Sequence, residues 1–351
     1  EKVLELTYQN AFVDLLEYIK SQPGWTVIVT GRDYAYQQLA FNYLQPSGIE
    51  FSSVNIDAFD KEQIEEVCQH IPELNDLMTN EQLIDLIKIP FFIEIAVRAI
   101  SNGANFFQGD TESDFRNTVW ASVISNEADR KAGMPTRRKS VFIDIAKQRA
   151  KKMVFGVRDS GFDPEAILKL EEGNLIQRDA RLGLVSPSHD VLEDWALEEF
   201  IEGEYLENSS SPCKFLSSIG CEPSINRAFR LWLSRRLKAS DDINDFINQV
   251  LTSSDVENYW KDETIAAILQ SESSRSFLLS LKPYLLEDDC LLLKRFYFIL
   301  RITCQRPSPF HNHDLFKDKN SGLIKSLFLQ PYGEGWDSII DFTYDIRDSL
   351  S

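Results

Sequence analysis

The stretch Ser186-Pro-Ser-His-Asp-Val-Leu-Glu-Asp-Trp-Ala-Leu-Glu-Glu-Phe200 decides how the rest of the chain is read. It follows a strand-like Leu184-Val185 and has the marks of a helix start. Ser186 or Ser188 can cap it, and Asp190 falls in the first turn, where the positive end of the helix dipole favours an acid. Val191, Leu192, Trp195, Ala196 and Phe200 supply an apolar stripe. His189 stands at the mouth. Free backbone N–H groups and the dipole both favour an anion there, so a phosphate suits the position. A histidine at a helix start also serves as a cap or a packed side chain, and the pattern alone leaves these open.

Two strand-like pieces, residues 175–177 and 184–185, precede this helix and are joined by a charged turn with Arg178, Asp179, Arg181 and Gly183. Asp163-Pro164 predicts the capped start of a helix that Glu172-Gly-Asn174 ends, and earlier helices are expected over residues 115–124 and about 138–155. Helix, helix, hairpin, helix is the order of a winged-helix domain. Arg137, Arg138, Lys139, Lys147, Arg149, Lys151 and Lys152 give the second helix a basic face, the one surface here suited to nucleic acid. No aromatic residues interleave it, and a solvated helix face is the plainer account. Glu193, Asp194, Glu198, Glu199, Glu202 and Glu204 just downstream oppose a DNA role.

Toward the N-terminus, residues 11–20 read as a helix stopped by Gln22-Pro-Gly24. Trp25-Thr-Val-Ile-Val-Thr30 is a short, β-branched apolar run that predicts a buried parallel strand, and Gly31-Arg32-Asp33 turns off its end. Ligands collect at that end of open α/β sheets, so Arg32 is either placed to reach an anion or is a plain surface arginine. Residues 51–56 predict a second strand. Asp60 and Gln63 form a capping-box pattern. Thr79 to Gln82 starts another helix, Lys88-Ile-Pro90 interrupts it, and residues 91–100 resume the pattern. Residues 102–112 read as a linker.

From about Leu206 no strand pattern is visible. Apolar-periodic segments at 225–237, 243–251, 264–269, 276–286, 291–303 and 322–328 predict an α-solenoid of HEAT-like type, which offers a curved binding surface without chemistry of its own. His311-Asn-His-Asp314 has the look of a metal site, but no further Cys or His partner lies nearby and Pro307 and Pro309 mark a loop.

The 351 residues exceed what one core usually serves, and 43% apolar content is ample to fill several. A formal net charge of −18 argues against general binding to nucleic acid or anionic membrane. The five cysteines contain no CxxC pair and fit reduced thiols in a cytoplasmic protein. No apolar run approaches the roughly 18 to 20 residues of a membrane span.

Taken together, Thr30-Gly-Arg32, Lys88-Ile-Pro90, the winged-helix order, Ser188-His189-Asp190 and the helical repeats resemble the second half of a STAND-class P-loop NTPase, the group that includes NLR-like and NACHT-like signalling ATPases and bacterial antiphage sensors. The resemblance covers essentially the whole chain. It implies a mainly α fold with a small α/β remnant: residues 1–59 as the end of the P-loop sheet, 60–112 as a small helical domain, 113–205 as a winged-helix domain and 206–351 as a helical-repeat sensor. It also implies that Arg32 acts as sensor 1 on the γ-phosphate and that Pro90 packs on adenine. His189 would be the histidine of the "MHD" motif that reads the β-phosphate of ADP, with Asp190 supporting it. Ser188 stands where the family usually has methionine.

Glu1, in Glu1-Lys-Val-Leu-Glu-Leu6, is similar to the acid at the end of a Walker B strand. No G-x-x-x-x-G-K-[ST] run occurs, so the phosphate cradle and magnesium ligand are missing. The chain is therefore expected to be a piece of a longer ATPase that uses ATP, ADP and Mg, and to be inactive alone. Its implied partners are a protein ligand on the repeats and further copies of itself, in antiviral defence or other signalling. Two further readings stand beside this one: a helical-repeat and winged-helix interaction scaffold, and a transcription regulator using the 138–152 face.

Overall fold

In the computed structural model the protein is described over residues 6–22, 24–29, 43, 44, 47, 48, 52, 54, 56, 58–239, 243–307 and 329–349. The described residues are mainly helical, 70% helix against 5% strand, with a small sheet. No helix among the described residues is long and apolar enough to cross a membrane.

Helix α1 (Leu6–Ser21) buries Phe12, Leu16 and Ile19, the spacing of one helical face. The strand expected after it is not seen. Residues 25–29 carry no strand, and Trp25, Val27, Ile28 and Val29 are exposed. The same holds for Ser52, Val54 and Ile56 in the second expected strand. A β-branched run becomes a strand only where a neighbour satisfies its backbone groups, and among the described residues no strand pairs with either run.

From Asp60 the sequence patterns and the structure agree closely. Helix α2 (Lys61–His70) opens on the Asp60 and Gln63 capping box, with both reciprocal bonds made. Short helices α3 (Asn75–Met78) and α4 (Ile84–Ile87) follow, then α5 (Pro90–Ser101). The helix expected to start at Thr79 begins instead at Ile84, because the buried Asn80 makes an Asx turn. Its Oδ1 accepts from the Gln82 N–H, and its Nδ2 donates to the Asp110 carbonyl at 2.8 Å. That bond ties down the 102–111 linker, and Asn102 adds a second tie to the Ser122 carbonyl.

Helix α6 (Glu112–Val119) starts on a Thr111 and Asp114 capping box and runs into a π-helical turn, Trp120–Ser125, closed by Asn126 at φ 55. Helix α7 (Met134–Lys152), β1 (Val157–Arg158), α8 (Pro164–Glu172), β2 (Ile176–Asp179), β3 (Leu184–Pro187) and α9 (Asp190–Asn208) come next. The hairpin is antiparallel, pairing Gln177 with Ser186, and β1 adds to the far edge of β3 in the order β1-β3-β2. At the hairpin tip Asp179 accepts from the Arg181 and Leu182 N–H groups, and Gly183 takes φ 61, a left-handed conformation that glycine adopts without strain. The two-residue β1 is too short to register as a period.

The C-terminal part holds α10 (Pro212–Ile219), α11 (Pro223–Ala239), α12 (Asn244–Thr252), α13 (Asn258–Gln270), α14 (Ser274–Ser280), α15 (Lys282–Leu286), α16 (Leu291–Thr303) and α17 (Glu334–Ile346). A short antiparallel pair, β4 (Gln305–Pro307) with β5 (Leu329–Pro331), corrects the expectation of no strands here. The segments at 311–314 and 322–328 lie outside the described residues.

Helices α9, α11, α13 and α16 pack side by side in that order. Polar bonds between successive members join residues 33 apart: Asp194 with Arg227, Arg230 with Glu263, and Asp262 with Arg295. Ser234 with the Ala267 carbonyl and Gln270 with the Thr303 carbonyl keep the same spacing. The boundary drawn at 205/206 falls inside α9, which is the first member of this stack. One continuous apolar core runs from Leu74 to Ile346.

Candidate functional site at the mouth of helix α9

Helix α5 begins at Pro90 because a proline lacks only an N–H that a first turn leaves unpaired, and it forces Ile89 into extended backbone, here φ −85 and ψ 119. This places Phe91 and Phe92 on the first turn. Helix α9 begins at His189, which is itself the N-cap: its backbone is extended, and its Nδ1 accepts the Val191 N–H at 3.2 Å. The serines proposed as caps do other work. Ser188 Oγ donates to the Asn174 carbonyl at 2.8 Å, and Ser186 lies in β3.

An imidazole nitrogen that accepts a hydrogen bond carries no proton, so the bonding pattern puts the ring proton on Nε2. The ring lies flat on Phe91, with centroids 3.7 Å apart and planes 14° apart. Phe91 meets Phe92 edge to face, and Phe92 continues the aromatic contacts to Phe115 and Trp195. Pro90 is exposed and Asp190 half-buried. Pro90 and His189, distant in sequence, are thus brought to one junction through Phe91, a residue that sequence reasoning passed over as part of a helical stripe. Glu1 and Arg32 lie outside the described residues.

Behind the junction α9 is clamped by basic side chains on both flanks. Glu198 takes Arg116 from α6 at 2.6 Å and Arg235 from α11 at 3.2 Å, and it is nearly inaccessible to solvent. Burial pushes its carboxyl above the usual range, against the pull of the two arginines. Burial likewise raises Glu193, which is paired with Arg149 of α7. Lys139 pairs with Glu199 at 2.8 Å and Lys147 with Glu204 at 3.7 Å, while Lys147 and Lys151 lie over the Phe200 ring. On the other flank Arg227 pairs with Asp194, and Glu202 accepts from the Trp232 indole at 2.7 Å.

This corrects the reading of 138–152 as a basic face for nucleic acid or solvent. Arg138 is buried and donates to the Val123 and Ile124 carbonyls at the end of the π turn. Arg137 binds Asp163 and Glu165. Lys139, Lys147 and Arg149 are matched by acids of α9, and Lys151 donates to the Ser218 carbonyl. The signal was present in the sequence as a basic helix followed by an acidic one.

At this junction His189 is half-buried and Pro90 exposed. The sequence holds no G-x-x-x-x-G-K-[ST] phosphate loop. Among the described residues no group of three or more His, Cys, Asp or Glu side chains could hold a metal. An open depression of about 330 Å³ lies elsewhere, on α2, lined by Phe59, Gln63, Glu66, Val67, His70 and Ile71, and it includes neither Pro90 nor His189. The chain matches no protein-family model, and no curated protein matches it significantly.

Proposed function

We propose that these residues form the regulatory part of a STAND-type ATPase, in which exchange of ADP for ATP governs ligand-triggered oligomerisation. The observation that carries this reading is the stack of His189 on Phe91, next to Pro90: the two positions that resemble the family's phosphate-reading and adenine-packing residues share one junction. In this reading the elements from α6 to α9 are a winged-helix domain, and the stack from α9 onward is a helical-repeat sensor for a protein ligand. His189 Nε2–H donates to the β-phosphate of ADP, Asp190 supports it, Arg32 reads the γ-phosphate and Glu1 positions water, with Mg and a phosphate loop supplied by segments other than these.

Helix α9 gives the reading a physical link. It carries His189 at its N-cap and packs along its length on α11, so a ligand that shifts the stack moves the residue that holds ADP, and the response is a shift between two populations. The test uses a protein in which these residues follow a phosphate-binding loop. His189→Ala is expected to speed ADP release and raise spontaneous oligomerisation; an unchanged ADP off-rate with unchanged mass would sink the reading.

A second reading, a scaffold that binds protein without nucleotide, is favoured by the 33-residue ladder from Asp194 to Arg295, which builds a continuous surface of stacked helices. A phosphate-loop sequence directly upstream of Glu1 in the encoding gene would decide for the first. The ion-paired state of the 138–152 residues speaks against a transcription regulator, and salt-dependent binding of duplex DNA would restore it.

A further inference from the structure

The last two helices, α16 and α17, present faces of opposite charge. Helix α16 carries Lys294, Arg295 and Arg301 and no acid, in a chain with 55 acidic and 37 basic residues. Leu293, Phe296, Ile299 and Leu300 fill its core side. Leu291, Lys294, Phe298, Arg301 and Ile302 fall together on the opposite side of the helical turn, and all are exposed. Arg295, at the edge, is occupied by Asp262. The pairing of Lys294 with Asp289 joins two strongly exposed groups, which exchange partners readily.

Helix α17 is the reverse: it carries Glu334, Asp337, Asp341 and Asp345 and no base. Ile339, Phe342 and Ile346 are buried, while Glu334, Asp337, Ile340 and Tyr344 are exposed. Arg275 holds Asp341 and Asp345 at one edge. A hydrogen bond between Tyr297 and Thr343 joins the two helices, and Arg347 lies over the exposed Tyr344 ring at the end of α17. Leu291, Phe298, Ile302, Ile340 and Tyr344 are between 59% and 67% exposed. Apolar side chains scattered singly over a surface need no explanation, but these form two continuous stripes with matching charge.

We propose that the two faces dock on each other between copies, α16 of one molecule on α17 of the next. The occupant is a second copy because the surface complementary to α16, in charge and in apolar pattern, is carried by the same chain. The two patches lie side by side on adjacent helices, so a two-fold pair makes both contacts at once, α16 on α17 of the other copy and α17 on its α16. Each helix has 13 residues and is about 20 Å long, so a single contact is small, weak and sensitive to salt.

Sedimentation velocity of the chain over a wide concentration range, at low and high salt, tests this. Association that grows with concentration and weakens with salt is expected. Lys294→Glu with Arg301→Glu, and separately Glu334→Lys with Asp337→Lys, should each abolish it. Mixing the two charge-reversed proteins should restore it, because the acidic α16 of one then meets the basic α17 of the other. Phe298→Ser should abolish it at any salt. All these positions are exposed, and a thermal melt verifies each fold; if a charge-reversed protein fails that check, Phe298→Ser and Ile340→Ser carry the test. A monomer at every concentration, association that the variants leave unchanged, or a mixture no more associated than its parts would each overturn the proposal.

Discussion

The imidazole of His189 lies flat on the ring of Phe91 while its Nδ1 holds the Val191 N–H, so one side chain caps α9 and joins it to α5. Losing the cap costs about 1 kcal/mol. The ring stack contributes about 0.5–1.5 kcal/mol beyond the area it buries. A double-mutant cycle of His189→Ala and Phe91→Ala in urea denaturation should therefore give a coupling of about 0.5–1.5 kcal/mol. His189→Asn, which keeps an N-cap acceptor, should recover the cap without the coupling. Zero coupling would mean that the stack contributes nothing.

Glu198 pairs with both Arg116 and Arg235, and the three lie at the seam of α6, α9 and α11. Glu198→Ala leaves the buried Arg116 without its carboxylate and Arg235 with only the more distant Glu199 and Glu202, and breaking a buried pair in this way costs about 3–5 kcal/mol. The triple change Glu198→Leu, Arg116→Met and Arg235→Met should recover most of that loss, because apolar groups of similar volume replace buried ions at little cost. Urea midpoints of the single and triple variants check both signs. A loss below about 1 kcal/mol for Glu198→Ala would place the trio in water.

Much of the fold was legible because its signals are local. Asp60 with Gln63, and Asp163 before Pro164, cap the helices that their spacing predicts, since a cap needs only a few adjacent residues. The hairpin was legible from its apolar pieces and charged turn. Of the strand expected at Trp25–Thr30, the described residues 25–29 form none, because a strand depends on a partner that its own residues do not specify. His189 was found by its place at a helix mouth, but its partner Phe91 was not, since a ring contact across the chain leaves no periodicity. The basic face of α7 was misread for a related reason: charge on one helix does not show which acids it meets, and Lys139, Lys147 and Arg149 meet α9. The repeat period was hidden in composition and became visible only through bonded pairs such as Asp262 and Arg295.

Asp163 gives a pH dependence with a definite sign. Its carboxyl is lowered to about 2, first by the hydrogen bonds from Arg137 and then by the backbone N–H groups it caps. A carboxylate with a lowered folded pKa adds stability that is fully present above its unfolded value, 3.8, and is lost as pH falls toward 2. Arg137→Ala should remove part of that stability at neutral pH. The gap between wild type and Arg137→Ala should then narrow as pH is lowered from about 5 toward 3. Urea titrations at stepped pH measure it, and a gap that widens in acid would show that Arg137 does not set the Asp163 pKa.

Gly335 tests how tightly the end of the stack is packed. It lies in the first turn of α17, where helix propensity alone would make Gly335→Ala stabilising by about 0.5–1 kcal/mol. The structure predicts the opposite sign. A Cβ at this position would meet the Leu269 carbonyl oxygen inside contact distance and would come within 3.2 Å of Leu269 Cβ. The oxygen belongs to backbone near the end of α13, and the adjoining turn is held by Ser274, whose hydroxyl bonds Ser338 at 2.5 Å. Neither side yields easily, so Gly335→Ala should cost about 1–3 kcal/mol of overpacking strain, lowering the urea midpoint. If the variant is instead as stable as wild type or more so, α17 is free to move away from α13, and the close approach of the two backbones does not hold the last helix in place.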